Sequence, residues 1–443
     1  MPNPMGHSAA YRRRRFMNWF PLGLTYATFY MGRYNLNVSS STIMDHFHLD
    51  KTQFGTIATA GFWTYALSVI VNGPLSDRIG GKKAILIGAA GTAVVNLIIG
   101  VLFLAGWQTK IVVGMSLLFA ASQYFQSYGA MSIVKANAPW FHVRERGVFG
   151  GIFGVMISSG YLLALGVGGW ILAHFAWYWV FLIPAAAIGA MAVVDAVLVR
   201  NTPAEAGFPN IDTADATAHD PDRDRPVDWH HLATRVFTNP IIITLAVAEF
   251  CTGFVRQGLM LWFVPFLKEV HHVVPGMGLF QVASLGITVG GIVGALLAGY
   301  LSDRMFGSRR PPVAMLFYLA QIVCLFILGR AASPALAAYM IGITCVWIFG
   351  VHGMLTGTAS MDFGGSKGAA TVAGMLDGVQ YLASGLTGFL LGHYLDRFGW
   401  GAWTYMIMPF SLIGAVLMTR LWNETPMHRR AMAAAPAPEA VVP

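Results

Sequence analysis

Long apolar runs recur along almost the whole chain and constrain its fold more than any other feature. Each run has roughly 20 residues, about the length of an α-helix that crosses the hydrocarbon core of a bilayer. The composition agrees, because 56% of the 443 residues are hydrophobic and 11% are charged, whereas soluble domains carry about 25% charged residues. The sequence therefore predicts an all-α membrane protein. The twelve predicted helices lie near residues 17–37, 54–75, 83–104, 110–135, 147–173, 178–199, 240–267, 279–302, 313–329, 335–358, 368–395 and 402–421.

The twelve runs divide into two sets of six. The segment between the sets, residues 200–238, is rich in Pro, Asp and Arg, a composition typical of a solvated linker. We therefore expect six-helix bundles at residues 17–199 and 239–422, a cytoplasmic N-terminal segment at 1–16, and a disordered cytoplasmic tail at 423–443.

Positive charge indicates the orientation in the membrane. Most of the 28 Lys and Arg residues fall in loops on the same side as the N-terminus, and cytoplasmic loops carry the excess of positive charge. Both termini are therefore predicted to be cytoplasmic, in a multi-pass protein of the inner membrane. The net charge of +8 follows from this topology, so we expect no nucleic-acid partner. The tract "YRRRRF" is followed by no evident cleavage site, so it is expected to be retained.

The halves of the sequence contain an internal repeat. "GPLSDRIGGKK" at 73–83 and "GYLSDRMFGSRR" at 299–310 share the pattern G-x-x-S-D-R followed by Gly and basic residues. Their aspartates lie 226 residues apart, which indicates duplication of a six-helix unit. Both loops are predicted to be cytoplasmic, where an acidic residue can hold two helices together in one conformation and release them in another. We therefore expect a gating role for Asp77, Arg78, Asp303 and Arg304.

Two arginines occur within the apolar runs, 223 residues apart. A charge at membrane depth costs on the order of 2.5–3.5 kcal/mol, so Arg33 and Arg256 need a partner or a task. Guanidinium is always charged and binds phosphate oxygens bidentately, which suits a dianion. The alternatives are that Arg33 extends from a helix end toward the interface, or that Arg256 pairs structurally with Glu249, seven residues earlier.

The motifs together resemble those of a known family of carriers. The paired Asp-Arg loops are similar to those of the major facilitator superfamily. "YATFYMGRYNL", "VRQGLMLWFVPFLKEV", "NTPAEAGFPNI" and "VAGMLDGVQYLASGLTGFLLGHYLDRFGW" resemble the organophosphate:phosphate antiporter family, which includes glycerol-3-phosphate and hexose-6-phosphate transporters. The resemblance covers residues 12 to 422 and implies twelve transmembrane helices in two pseudo-symmetric six-helix bundles.

The resemblance also implies a binding site. In that family one arginine in helix 1 and another in helix 7 face each other and bind the phosphoryl group, and the matching residues here are Arg33 and Arg256. The aromatic cavity residues of the family match Tyr26, Tyr30, Tyr65 and Tyr381. This chain departs from the glycerol-3-phosphate transporters at Val69 and Ile157, where they have a lysine and a histidine.

Several other polar residues in the predicted helices are candidates for the same site. "MLDG" at 375–378 is similar to eukaryotic sugar-phosphate exchangers of the family, so Asp377 is expected to contact the organic part of the cargo or to relay a proton. Glu249 is a candidate for proton coupling, and His352 for the cavity wall. Lys135 matches a basic residue at the cytoplasmic end of helix 4 and is a candidate for coupling or gating, with an interfacial anchor as its alternative role.

We expect a secondary transporter, not an enzyme, because the sequence contains no nucleophile elbow, Walker motif or metal-binding constellation. Its three cysteines fall in predicted helices without paired spacing, so neither a metal nor a cofactor is expected. The predicted partners are the lipid bilayer, a small organic anion and either inorganic phosphate or a proton, with the protein as a monomer. A proton-coupled symporter of a carboxylate or phosphonate and a membrane sugar-phosphate receptor remain alternatives.

Overall fold

The computed structural model describes residues 6–213 and 238–423, and every regular element in them is helical. The N-terminal half contains α1 (Ala9–Val38), α2 (Ser40–Phe47), α3 (Lys51–Ile79), α4 (Gly81–Leu104), α5 (Ile111–Gln126), α6 (Gly129–Asn137), α7 (Val143–Tyr161), α8 (Gly168–His174) and α9 (Trp179–Leu198). The C-terminal half contains α10 (Pro240–His271), α11 (Gly278–Met305), α12 (Arg310–Gly329), α13 (Pro334–His352), α14 (Ser360–Phe398) and α15 (Trp403–Arg420).

These helices confirm the prediction of an all-α membrane protein. Among the described residues, nine helical stretches are long and apolar enough to cross a membrane. The other predicted spans correspond to α1, to α5 with α6, and to α14. Many large apolar side chains are exposed on the outside of the bundle, for example Leu67, Leu117 and Leu296, as expected where lipid replaces water as the solvent.

Local sequence signals set several helix ends. Asp50 and Gln53 form a capping box at the start of α3, and Asn239 caps α10, which has Pro240 in its first turn. Ser8 caps α1, so this helix begins at Ala9, well before the predicted start at residue 17. The short helix α2 was not predicted, because eight residues are too few to show a clear apolar period.

Three predicted spans contain irregular backbone. The fourth is interrupted at residues 127–128, between α5 and α6. The tenth continues from α13 into a π-helical segment at Gly353–Ala359, and the fifth contains another at Leu162–Val167. Such π-helical turns are frequently found at functional sites.

The first residues of the predicted linker pack on the cytoplasmic end of the N-terminal half. Phe208 and Ile211 contact a cluster of aromatic residues, and the Trp140 indole donates a hydrogen bond to the Arg200 carbonyl at 3.1 Å. In the same region Arg15 donates two hydrogen bonds to Glu145, at 2.8 and 3.1 Å. Burial alone would raise the pKa of Glu145, but the hydrogen bonds and charge of Arg15 outweigh burial and lower it.

The two halves are joined on the outer side of the membrane. The Asp396 carboxylate accepts hydrogen bonds from the backbone N–H groups of Lys51 and Thr52, at 3.1 and 2.8 Å, and from the Thr52 hydroxyl at 2.6 Å. We call these three residues the outer latch. Ion pairs of Lys51 with Glu269 and of Lys268 with Asp45 lie at the same level. The outer side of the molecule is therefore closed.

Helices α3 and α14 also touch below the latch. The backbones meet at Gly55 and Gly388, where a Cβ atom built on Gly55 would lie 2.0 Å from the Gly388 carbonyl oxygen. The Thr59 hydroxyl donates to the Gly385 carbonyl at 2.6 Å, and the Trp63 indole donates to the Leu382 carbonyl at 3.0 Å. Among the described residues, the hydrogen bonds between the halves lie from mid-membrane outward.

Candidate functional site

Arg33 lies inside the bundle at the centre of an aromatic cluster. Its side chain is 3% exposed, so it does not extend to the lipid interface. Its Nε donates to Gln126 Oε1 at 2.9 Å, and its Nη1 donates to the Tyr381 hydroxyl at 3.4 Å. Three ring faces lie 4.8, 5.3 and 5.9 Å from the guanidinium carbon, those of Tyr65, Tyr30 and Tyr26 respectively. These rings form cation–π contacts that partly replace the lost hydration of the charge.

Arg256 occupies a comparable position in the C-terminal half. It is 4% exposed, and its Nη2 donates to Gln380 Oε1 at 3.0 Å. Its guanidinium carbon lies 5.3 Å from the centre of the Tyr381 ring. Gly253 allows α10 to approach α14 here, since a Cβ atom at this position would lie 2.2 Å from the Gln380 carbonyl oxygen. From the sequence, a structural pair between Arg256 and Glu249 was an alternative. In the structure Arg256 donates to Gln380 instead.

Tyr381 lies between the two arginines. It accepts a hydrogen bond from Arg33 of α1 and presents its ring to Arg256 of α10. Its ring centre also lies 4.2 Å from that of Tyr65 on α3. One phenol therefore contacts cationic groups from both halves, which places Arg33 and Arg256 on either side of a single buried region.

Each arginine retains an unused donor. Nη2 of Arg33 and Nε of Arg256 are buried and have no hydrogen-bond partner among the described residues. An unpaired polar atom in a dry interior costs roughly 1–3 kcal/mol, and more when the group is charged. A bound oxyanion would satisfy both donors, because its oxygens accept charge-assisted hydrogen bonds.

A polar network extends from Arg256 toward the cytoplasmic side of α13. Gln380 Nε2 donates to His352 Nδ1 at 2.8 Å, and the Thr356 hydroxyl lies 3.0 Å from the same nitrogen. Thr356 also donates to Glu249 Oε1 at 2.6 Å, and His352 Nδ1 lies 3.5 Å from that oxygen. Glu249 is completely buried. Asp377 is half-buried and interacts electrostatically with both His352 and Arg256.

The predicted gating residues lie apart from this region. Asp303 accepts hydrogen bonds from Arg310 at 3.1 Å and from Ser308 at 2.9 Å, both within its own loop. The Arg304 guanidinium carbon lies 6.0 Å from the ring centre of Tyr300. Lys135 is half-buried in the last turn of α6, and Arg78 is exposed in the last turn of α3. The side chain of Asp77 lies outside the described residues.

The structure adds three residues that the sequence reasoning did not select. The Tyr34 and Tyr161 hydroxyls lie 3.4 Å apart, and the Tyr161 ring packs 4.9 Å from that of Tyr30. Tyr34 follows Tyr26 and Tyr30 at intervals of four, a spacing that would have placed it on their face of α1. Tyr161 and Thr356 carry no comparable signal, because tyrosines and threonines are common in packed membrane helices.

Comparison with known proteins agrees with this architecture. Residues 22–387 match the family model of the Major Facilitator Superfamily. The chain is 27% identical to a glycerol-3-phosphate transporter of Bacillus subtilis over 94% of each chain. It is 24% identical to a probable hexose phosphate transport protein of Chlamydia pneumoniae over 96% of this chain and 94% of that one. It is also 24% identical to the membrane sensor protein UhpC of Escherichia coli over 94% of each.

A solved structure supports the fold. A bacterial homolog of the human lysosomal transporter Spinster, in an inward-facing and unoccupied conformation, superposes with a TM-score of 0.74 at 17% identity. The superposition covers 94% of this chain and 98% of the other. The family match spans most of the sequence, and it groups the chain with carrier proteins and not with enzymes. The chain belongs to the Major Facilitator Superfamily.

Proposed function

We propose that the protein is a secondary transporter that exchanges a small phosphorylated metabolite for inorganic phosphate across the inner membrane. Residues 17–199 and 239–422 would form the two rocking bundles of alternating access, and the protein would work as a monomer. Arg33 and Arg256 bind the phosphoryl group in this proposal, with Tyr26, Tyr30, Tyr65 and Tyr381 around it. Asp377 contacts the organic part.

One observation carries the proposal. Two buried guanidinium groups from opposite halves meet at Tyr381, and each has a donor with no partner among the described residues. Because guanidinium remains charged, the paired donors suit a doubly charged oxyanion better than a neutral sugar. The names of the relatives, which include glycerol-3-phosphate and hexose phosphate carriers, support phosphate as the charged group.

An anion that touches both arginines also connects the two halves. Its binding energy can therefore offset the cost of moving the halves past the occluded state, whereas the empty carrier lacks this bridge. Exchange of one anion for another should then be faster than net flux. This expectation distinguishes an exchanger from a uniporter.

Counterflow in proteoliposomes tests the proposal. Vesicles loaded with inorganic phosphate should take up labelled glycerol 3-phosphate or a hexose 6-phosphate faster than empty vesicles do. Arg33→Lys and Arg256→Lys keep the charge but lose the bidentate geometry, so each should lower exchange on the order of 10- to 100-fold at low substrate, given about 1.5–3 kcal/mol per charged hydrogen bond.

Arg330→Lys is the matched control. Arg330 is exposed in the loop after α12 and donates only to the Tyr405 hydroxyl among the described residues, at 3.1 Å, so exchange should be unchanged. Unaltered counterflow in both central variants would overturn the proposed site. Binding of phosphate esters without measurable flux would instead indicate a receptor, and uptake that requires a pH gradient but no internal phosphate would indicate a symporter.

A further inference from the structure

We infer that His352 and Glu249 form a proton-binding site whose occupancy is linked to anion binding at Arg256, with Gln380 as the positioning residue between them. The inference rests on the transport function proposed above and adds a proton site beside Arg256. The evidence is the direction of the hydrogen bonds around Gln380. Its side-chain amide can present either its oxygen or its nitrogen to His352, but not both.

The side-chain amide of Gln380 is oriented by Arg256. Guanidinium has donors and no acceptor, so the atom of Gln380 that faces Arg256 Nη2 at 3.0 Å must be the oxygen. The amide nitrogen then faces His352 Nδ1 at 2.8 Å. Because this nitrogen carries two hydrogens and no available lone pair, it can only donate, and His352 Nδ1 must accept.

This arrangement excludes a proton from Nδ1 of His352. A neutral imidazole with its hydrogen on Nε2 fits the hydrogen bond from Gln380, whereas an imidazolium would place an N–H group against the N–H group of Gln380. Glu249 and Thr356 favour the opposite state. The buried Glu249 Oε1 lies 3.5 Å from the same ring nitrogen, and Thr356, whose one hydrogen goes to Glu249, can only accept from that nitrogen at 3.0 Å. The two states of His352 therefore compete through the orientation of Gln380.

Anion binding decides this competition. A phosphate or other oxyanion that binds the free Nε of Arg256 bidentately also accepts from the adjacent Nη2, the nitrogen that donates to Gln380. These charge-assisted hydrogen bonds are stronger than the bond to a neutral amide. Gln380 is then released from Arg256 and can turn its oxygen toward His352. A proton from the solvent binds Nδ1 of His352, forming the imidazolium N–H, and the resulting cation pairs with Glu249. No other group gains or loses a proton in this step.

The charge balance of the site favours the same coupling. Arg33 and Arg256 offset Glu249 and Asp377 when both carboxylates are ionised, so a bound dianion leaves the region negative. A buried charge without compensation is costly, and proton uptake by His352 reduces that cost. Asp377 on α14 and Tyr318 on α12 also interact electrostatically with Glu249, and a phenol is neutral across the physiological range.

His352 can exchange protons with solvent, because its side chain is 24% exposed, whereas the side chain of Glu249 is 0% exposed. By reciprocity, a proton on His352 must strengthen anion binding as much as the anion strengthens proton binding. The transporter therefore gains affinity for its anion when His352 takes up a proton.

The test is the pH dependence of inorganic phosphate binding to the purified full-length protein between pH 5.5 and 8.5. Phosphate itself titrates in this range, and that contribution is the same for every variant. In wild type, one linked proton changes the Kd for phosphate by at most tenfold per pH unit. His352→Gln and Glu249→Gln should each remove this contribution from the pH dependence. His393→Gln, at an exposed position on α14, is the matched control and should keep the wild-type slope.

The outcomes separate this inference from the proposed function. Equal slopes in wild type and in either folded variant, with phosphate still bound, would overturn the proton linkage and leave the anion site intact. No phosphate binding to wild type at any pH would overturn the anion site and the linkage together. A reduced slope in one variant supports the linkage even if the other variant does not fold, because each removes a different half of the pair.

Discussion

At the scale of single residues, Tyr381 serves two functions that can be separated. Its hydroxyl accepts a hydrogen bond from Arg33 at 3.4 Å, which is long, while its ring contacts both Arg256 and Tyr65. A long hydrogen bond contributes less than the usual 0.5–1.5 kcal/mol. A cation–π contact away from solvent contributes up to about 2 kcal/mol. The ring should therefore matter more than the hydroxyl for holding the arginines in place.

Substitution of Tyr381 checks this ranking. Tyr381→Phe should weaken phosphate binding no more than a fewfold, whereas Tyr381→Leu should weaken it on the order of tenfold further, because 1.4 kcal/mol corresponds to a factor of ten. Isothermal titration with inorganic phosphate measures both variants. Equal losses in the two would show that the hydroxyl, not the ring, holds the site together.

At the scale of helices, irregular backbone occurs at related positions in the two halves. Gln126, the partner of Arg33, is the last residue of α5 before the break at 127–128. His352 is the last residue of α13 before the π-helical segment Gly353–Ala359, and it lies 226 residues later, the offset of the internal repeat. Arg33 is thus hydrogen-bonded directly to a residue at a helix irregularity, and Arg256 is connected to one through Gln380.

Sequence reasoning identified the central charges but not these irregularities. A charge inside an apolar run is conspicuous, so Arg33, Arg256, Glu249 and Asp377 could be selected from the pattern alone. The break after Gln126 and the segment after His352 contain no proline. They contain Ser127, Gly353 and Gly357, but glycine is common in transmembrane helices, so these residues do not single out an irregular turn. The hydrogen bonds of Gln380 depend on how three helices pack, which apolar periodicity does not specify.

Helix α3 offers a test of close packing between the halves. Gly55→Ala would place a Cβ atom 2.0 Å from the Gly388 carbonyl oxygen, so α3 and α14 would have to separate. Overpacking of this kind costs about 1–3 kcal/mol, and the melting temperature in detergent should fall by several degrees. Gly73→Ala in the same helix is the control, because no atom lies within 4 Å of a Cβ built there. A similar melting temperature for both variants would contradict the role of the glycine contact.

At the scale of the whole molecule, the outer latch holds the described conformation closed toward the outside. Three hydrogen bonds converge on Asp396, and they come from the first turn of α3, where the helix dipole favours a negative charge. Each such bond at an exposed site is weak, so the latch biases an equilibrium between conformations and does not lock it.

Removal of the Asp396 carboxylate should shift that equilibrium. In Asp396→Ala, spin labels at Gln108 and Ala332, in exposed outer loops of opposite halves, should show a larger population of long distances by pulsed electron resonance. The native cysteines Cys251, Cys324 and Cys345 are buried and can be replaced to leave only the two labels. Asp50→Ala, which removes a cap without breaking a bond between halves, is the control. An unchanged distance distribution in Asp396→Ala would mean that other contacts hold the outer side closed.

The start of α3 is capped twice, and this has a consequence for how the carrier moves. Asp50 Oδ1 accepts from the Gln53 N–H at 2.7 Å and Gln53 Oε1 accepts from the Asp50 N–H at 3.1 Å, so the helix keeps its own cap when Asp396 leaves. Separation of the halves therefore exposes a helix end that keeps its capping box, while the Lys51 and Thr52 N–H groups exchange Asp396 for water. The outer side can open by undocking two folded surfaces, without any residue of α3 unwinding and refolding in each cycle.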